Sequence, residues 1–345
     1  GGFASAELAK RIETLRSKLI LTASCGVEPA RVVHYQPLLR EALSLSKHRV
    51  DGCVILQREQ GPAQLGDPEE DWATVEASGE PVSCTPVEST DPLYILYTSG
   101  TTGEPKGIVR DNGGHAVALN WTMKNVYGVE PGDTYWAASD VGWVVGHSYI
   151  VYGPLLSRCT TVLYEGKPVG TPDAGAFWRV VQEHGVKVLF TAPTAIRAIK
   201  QQDPEGALAA DYDLGCLDAL FLAGERCDPA TLEWAQATLQ VPVIDHWWQT
   251  ETGWAVAANC LGIEQLPVKA GSPSKAVPGW DVVVLDDEGH PAEPGTIGNI
   301  VARLPLPPGS LPTLWNAEGR FREAYLTEFP GFYKTADAGR IDEDG

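Results

Sequence analysis

The chain predicts an α/β fold, and two observations carry that prediction. Short apolar runs alternate with stretches of helical spacing through most of the sequence, and after about Trp280 apolar runs follow one another without a helix between them. Repeated strand–helix–strand units require parallel strands covered by helices, because a parallel return needs a long crossover. Consecutive strands joined by turns read instead as an antiparallel sheet. The expected organisation is therefore an α/β core over 1–279 and a smaller β-rich subdomain over 280–345.

In chain order, Ala6 to Leu19 places Leu8, Ile12, Leu15 and Leu19 at helical spacing and runs into the strand-like Leu19-Ile20-Leu21-Thr22. Val50 to Leu56 is a second short apolar strand, and Leu93-Tyr94-Ile95-Leu96 a third. Asp173 to His184 puts Phe177, Val180 and Val181 on one helical face, and Val186-Lys187-Val188-Leu189-Phe190 follows directly as a strand. Ala195 to Gln201 reads as helix, Ala219 to Leu222 as a buried strand, Pro229 to Leu239 as helix and Pro242 to Ile244 as strand. Asp281 to Leu285 and Asn299 to Ala302 form the antiparallel pair. Segments 60–90 and 304–312, rich in Pro and Gly, read as connecting loops.

Composition narrows the function classes. A formal charge of −19 over 345 residues argues against nucleic acid or an anionic membrane surface as partner, since both select basic surfaces. It also means that a site for a polyanion must build its positive potential locally. Seven cysteines, an odd and scattered set with no Cys-x-x-Cys pair, fit a reducing compartment, and the seven histidines show no metal-ligand spacing. The start, Gly1-Gly2-Phe3-Ala4-Ser5, has neither the basic nor the apolar region of a signal peptide, and Val141 to Leu156 is too short for a membrane span.

The chemistry concentrates in a few segments. Tyr97-Thr98-Ser99-Gly100-Thr101-Thr102-Gly103-Glu104-Pro105-Lys106-Gly107 follows an apolar strand. Its glycines allow close backbone approach, its hydroxyls and N–H groups can donate, and Lys106 adds a cation, a set suited to phosphates. It is not a Walker A loop, because Gly107 rather than Ser or Thr follows the lysine. Ala223-Gly224-Glu225-Arg226 ends another strand, where small residues let a flat ring lie against the backbone. Asp245-His246-Trp247-Trp248-Gln249-Thr250-Glu251-Thr252-Gly253 supplies two indoles, a hydroxyl and a carboxylate suited to a hard cation such as Mg²⁺. In Ser139 to Tyr149 polar groups, His147 above all, interrupt an otherwise apolar run.

In this order the segments resemble those of the adenylate-forming enzymes, and most of all the short-chain acyl-CoA synthetases of the propionyl-CoA synthetase branch. The resemblance covers essentially the whole chain. It implies stacked, mostly parallel sheets and an enzyme that binds ATP, Mg²⁺ and coenzyme A. Its reaction would activate a short carboxylate, propionate first, to an acyl-adenylate and then to the acyl-CoA. By the same resemblance Thr98, Ser99, Gly100, Thr101, Thr102, Gly103 and Lys106 hold phosphates, and Gly224, Glu225 and Arg226 contact adenine. Asp245, His246, Trp247, Trp248 and Gln249 complete the nucleotide site, Thr250 meets the α-phosphate and Glu251 ligates Mg²⁺. Asp337, within Tyr333-Lys334-Thr335-Ala336-Asp337-Ala338-Gly339, holds the ribose, with Ala336 where the family has glycine. Thr250, Glu251 and Lys106 are the expected catalytic residues.

Trp143, Val144, Val145, Gly146, Ala223 and Trp248 form the implied acyl pocket. Acetyl-specific relatives carry valine where Ala223 stands and threonine where Val145 stands, so this pocket is expected to be longer and more apolar. Gly1, Gly2, Phe3, Arg31 and Ala192 are implied contacts of CoA. The family continues beyond Gly345 into a mobile C-terminal domain carrying the adenylation lysine, and also begins ahead of Gly1, so the chain is expected to turn over poorly by itself. A cytoplasmic protein is expected, or a mitochondrial matrix protein in a eukaryotic host. Acetate and 3-hydroxypropionate remain alternative substrates, the latter in a fused multidomain synthase, and a nucleotide-binding module without turnover is the alternative from another class.

Overall fold

The computed structural model describes residues 4–98 and 105–345, which fall into two compact units, Gly1–Pro86 and Val87–Gly345. In the first unit, the helices Ser5–Leu15 and Gln36–Leu45 accompany a parallel sheet ordered Leu19–Ala23, Gly52–Leu56, Glu69–Asp71. Cys53 and Ile55 are buried beneath Leu39, which makes the central strand apolar on successive residues. The segment expected to be loop over 60–90 contains that third strand and the helix Trp72–Ser78, which Asp71 caps by accepting from the Thr74 N–H at 3.0 Å. A single capping aspartate outweighs the surrounding Pro and Gly at that point.

The second unit is built on five parallel strands ordered Val243–Asp245, Ala219–Leu222, Val186–Thr191, Thr134–Ala137, Thr160–Thr161. The helices Ala176–His184, Pro193–Gln202 and Pro229–Leu239 are the crossovers that the alternating sequence pattern demanded. The sheet separates two apolar layers. Trp136, Leu189, Leu220 and Leu222 face the helices, while Tyr135, Phe190 and Phe221 face a second cluster containing Tyr127, Tyr149 and Trp248. This alternation of side chains across a strand places consecutive residues in different cores.

Three antiparallel assemblies complete the unit. Pro92–Thr98 and Lys106–Asp111 form a hairpin in which Thr98 pairs with Lys106. The sheet of Val282–Leu285, Gly298–Arg303 and Phe332–Gly339 corresponds to the expected antiparallel part. The expected boundary at 279/280 lies inside the second unit. Ala257–Ala258 pairs with Lys275–Ala276. Residues 304–312 carry neither helix nor strand, as their Pro and Gly content requires. All seven cysteines are free; four are buried, two half-buried, and Cys84 is exposed. Among the described residues no helix is long and apolar enough to cross a membrane.

Candidate active site

Parallel strands deliver their following loops to one edge of a sheet, where ligands of such folds gather. Here Ser139 to His147, Ala192, Ala223 to Arg226 and His246 to Gly253 each follow one of four neighbouring strands of the five-stranded sheet. Three of the sequence segments singled out for their chemistry, Ser139 to Tyr149, Ala223 to Arg226 and Asp245 to Gly253, are thereby at one edge of the sheet.

Two carboxylates anchor the arrangement. Glu251 Oε1 accepts from Lys106 Nζ at 3.2 Å and from the Tyr325 hydroxyl at 2.8 Å, and Lys106 Nζ also donates to that hydroxyl at 2.6 Å. Burial first, and the neighbouring carboxylate second, push the Tyr325 phenol well above its ordinary range, so it stays a donor to Glu251. Asp337 Oδ2 accepts from Trp247 Nε1 at 3.0 Å and from Gln249 Nε2 at 2.7 Å. Gln249 is held in turn by the Thr335 carbonyl and by the Tyr333 hydroxyl at 3.3 Å. In each carboxylate the second oxygen, Glu251 Oε2 and Asp337 Oδ1, has no hydrogen bond among the described residues. Each group is thus fixed by one oxygen and available through the other.

The strand ends differ in what they offer. Gly224 has φ +105°, and a Cβ there would meet nothing within 4 Å, so the turn is open on that side. Glu225 turns away to an ion pair with Arg197, which also reaches Asp228 at 3.4 Å. The Arg226 guanidinium lies against Gly271, whose φ is +77°. Asp245 is buried and accepts from the Cys227 N–H at 3.0 Å; burial pushes its pKa up to about 6. His246 is buried, with Nδ1 2.7 Å from the Leu222 carbonyl and Nε2 3.1 Å from the Tyr127 hydroxyl. Burial pulls its pKa down to about 4, so it is a neutral hydrogen-bonding strut at neutral pH.

Of the implied acyl pocket, Val144, Ala223 and Trp248 meet in one buried cluster, with Val145 against it. The Trp248 ring packs edge-on against Tyr149 at 5.4 Å and tilted against Phe190 at 6.3 Å, which fixes the indole as a wall. Gly146 opens a π-helical turn over Gly146–Tyr152, and a Cβ there would lie 2.3 Å from the Val141 Cα. Trp143 is not brought into this cluster: its side chain is 64% exposed. His147 points its Nδ1 to the Trp143 carbonyl at 3.0 Å and lies 4.7 Å from the Tyr94 ring.

Arg31 opens the second strand of an exposed hairpin in the first unit, paired with Glu28, and Ala192 precedes the helix Pro193–Gln202. Ser99, Gly100, Thr101, Thr102 and Gly103 of the phosphate loop, and Gly1, Gly2 and Phe3 of the expected CoA contacts, lie outside the described residues. Thr98 is described, and its Oγ1 is buried without a hydrogen-bond partner among the described residues. Sequence reasoning missed Tyr325 and Arg110. The first sits four residues after Phe321 on the helix Glu318–Tyr325, a spacing that signals one buried face. Among the described residues no three His, Cys, Asp or Glu side chains gather as a metal cage.

Comparison with known proteins gives the family and the fold. Residues 2–307 match the AMP-binding enzyme family. The chain is 55% identical over its full length to the rat protein named "Acyl-CoA synthetase short-chain family member 3, mitochondrial", covering 51% of it. It is 41% identical, again over its full length, to the Escherichia coli "Propionate--CoA ligase", covering 55% of that protein. The fold matches the acetoacetyl-CoA synthetase structure from Streptomyces lividans with a TM-score of 0.88, at 22% identity, over 99% of this chain and 52% of that one. The chain spans about half the length of the curated relatives it matches. By sequence over nearly its whole length and by fold, it belongs to the family of AMP-binding enzymes.

Proposed function

We propose that the protein containing this chain is an AMP-forming ligase that joins a short-chain carboxylate, propionate best, to coenzyme A. The observation that carries the reading is the convergence of Lys106, Thr250–Glu251 and Asp337 beside a buried apolar cluster walled by Trp248. A relative named for propionate adds to it.

The residues present fit the groups the reaction needs. Asp337, held through Oδ2 by Trp247 and Gln249, offers Oδ1 to a ribose hydroxyl, and the open turn at Gly224 accepts a flat base. Glu251 would hold Mg²⁺ with one carboxylate, in keeping with an ion that retains waters and shares substrate phosphates. When bound, Mg²⁺ supplies charge neutralisation at the phosphates. Lys106, now resting on Glu251 and Tyr325, is the cation nearest the phosphate loop in sequence and would turn to the nucleotide. The substrate carboxylate, already an anion, attacks the α-phosphorus in line and pyrophosphate leaves with the electrons of the broken P–O bond. No general base is needed. The protein's task is positioning and electrostatic stabilisation. The thiol of CoA then displaces AMP from the acyl-adenylate. That half calls on the Ala192 side of the sheet and on the remainder of the full-length protein.

Ala223 sets the pocket length in this reading. It lies in the same buried cluster as Trp248, so valine there would take the space of a substrate methylene. The test is carboxylate-dependent ATP–pyrophosphate exchange on the full-length protein with acetate, propionate, 3-hydroxypropionate and butyrate. Propionate is expected to give the highest kcat/KM. Ala223→Val is expected to shift the propionate-to-acetate ratio towards acetate by about 10–100-fold, the worth of one methylene in an apolar pocket. Absence of exchange with every short acid would sink the proposal.

A further inference from the structure

Arg110 is fully buried, at 0% exposure, in the strand Lys106–Asp111 behind Ile108 and Val109. Its guanidinium donates to three backbone carbonyls: those of Thr250, of Glu251 at 3.2 Å, and of Gly309. Among the described residues no carboxylate pairs with it, although the molecule carries a net charge of −19. A buried cation without a counter-ion is costly, and removing its polar partners or leaving them unpaired is costly too. The surroundings are nevertheless shaped to admit it. Gly253 has φ +75°, and a Cβ there would stand 2.6 Å from the guanidinium carbon. Gly309, φ +85°, would with a Cβ collide with Ala118 at 2.6 Å. Close by, His115 is buried with neither ring nitrogen hydrogen-bonded, and burial and then the Arg110 charge keep it neutral.

The contrast with Lys106 gives this arrangement its meaning. Lys106 is neutralised by Glu251, whereas among the described residues Arg110 is met by peptide carbonyls and the Tyr94 phenol and by no carboxylate, so its charge persists as potential. Two of the three carbonyls it grips belong to the pair of residues assigned to the α-phosphate and the metal. A guanidinium can hold several acceptors in fixed directions where an ammonium cannot.

We propose that Arg110 is a positioning residue of the nucleotide site. Its three-carbonyl clamp fixes the Thr250–Glu251 turn, and its unneutralised charge supplies standing attraction for the nucleotide's phosphates in an acidic protein. This rests on the reading that Thr250 and Glu251 serve a nucleotide.

The experiment uses the full-length protein and two variants, Arg110→Gln, which removes the charge, and Arg110→Lys, which keeps it but cannot span the three carbonyls. Equilibrium binding of ATP is measured by calorimetry with and without Mg²⁺, beside the exchange assay and thermal unfolding. Folded Arg110→Gln is expected to bind ATP at least about tenfold more weakly and to lose about 100-fold in kcat, the scale of one preorganised donor removed, with KM for the carboxylate unchanged. Arg110→Lys is expected to keep most of the affinity while losing kcat, a split that a merely structural role would not produce. If Arg110→Gln does not fold, Arg110→Lys decides: wild-type kcat in that variant overturns the inference. A wild-type protein that binds no ATP overturns the functional reading and this inference with it. Wild-type binding beside a folded Arg110→Gln of equal affinity and kcat overturns this inference alone.

Discussion

At Asp245 a carboxyl closes the strand Val243–Asp245 inside the protein, and burial, against the opposing pull of the Cys227 N–H and Arg226, raises its pKa to about 6. The unfolded chain has the ordinary value near 4. A folded-state pKa above the unfolded one makes the contribution to stability greatest below pH 4, and it is lost as pH rises through 6. At neutral pH the charged side chain therefore costs about 2–3 kcal/mol relative to its protonated form, since the folded and unfolded values lie roughly two pH units apart. Asp245→Asn keeps an oxygen to accept from the Cys227 N–H and removes the charge. Urea unfolding of the variant is expected to show a gain over wild type at pH 7 that shrinks towards zero between pH 6 and pH 4. A wild-type-minus-variant difference that is flat across that range would refute the assignment. A retained destabilising group at a strand end is what a binding site, rather than a core, accumulates.

The segment read in the sequence only as a motif bearing Asp337 is the strand Phe332–Gly339. Its pairing with Gly298–Arg303 shifts register between Asn299 and Val301, and Ala336 within the shift has φ +62°. This kink is accompanied by the bond from Thr335 Oγ1 to the Ile300 carbonyl and by the Asp337 contacts to Trp247 and Gln249. The alanine noted in place of the family's glycine thus occupies a left-handed position, which costs a non-glycine residue about 1–2 kcal/mol. Glycine gives part of that back through its freer unfolded chain. Ala336→Gly is therefore expected to raise stability by up to about 1 kcal/mol, read from denaturant midpoints; a clear loss would show that the strain lies elsewhere. Other elements escaped the sequence for definable reasons. Lys106–Asp111 interrupts its apolar run with Arg110, whose burial no pattern announces. Asn112–Asn125 buries His115 and Thr122 beside Ala118, Leu119 and Met123, so no clean apolar stripe exists. Gly146–Tyr152 has π-helical spacing, which a search at 3.6 residues per turn does not find. The strand–helix–strand units were legible because burial on both faces of a parallel sheet leaves continuous apolar runs. Trp247, Gln249, Glu251 and Asp337 were legible as a set only through resemblance; the hydrogen bonds of Trp247 and Gln249 to Asp337 join segments some 90 residues apart.

At the scale of the molecule, the division at Pro86/Val87 has a physical counterpart in the backbone. Every residue from Glu76 to Pro92 is exposed, and 79–88 contains neither helix nor strand. A protease must draw several residues into an extended strand in its cleft, and in 79–88 that breaks no sheet or helix bond. Specificity can be used to isolate the segment. Between Arg58 and Lys106 there is no basic residue, so trypsin has no site there. Within 79–88 a glutamate-specific protease has Glu80 and Glu88, and Pro81 blocks the first, leaving the Glu88–Ser89 bond. Brief digestion with that enzyme is expected to cut there first and to leave a persistent fragment beginning at Ser89, while trypsin at matched activity leaves 59–105 in one piece. Mass spectrometry of the first products decides it. Initial glutamate-specific cuts inside 134–258, where the five-stranded sheet and its crossovers lie, would mean that the weakest part of the fold is the site-bearing sheet rather than the segment between the two units.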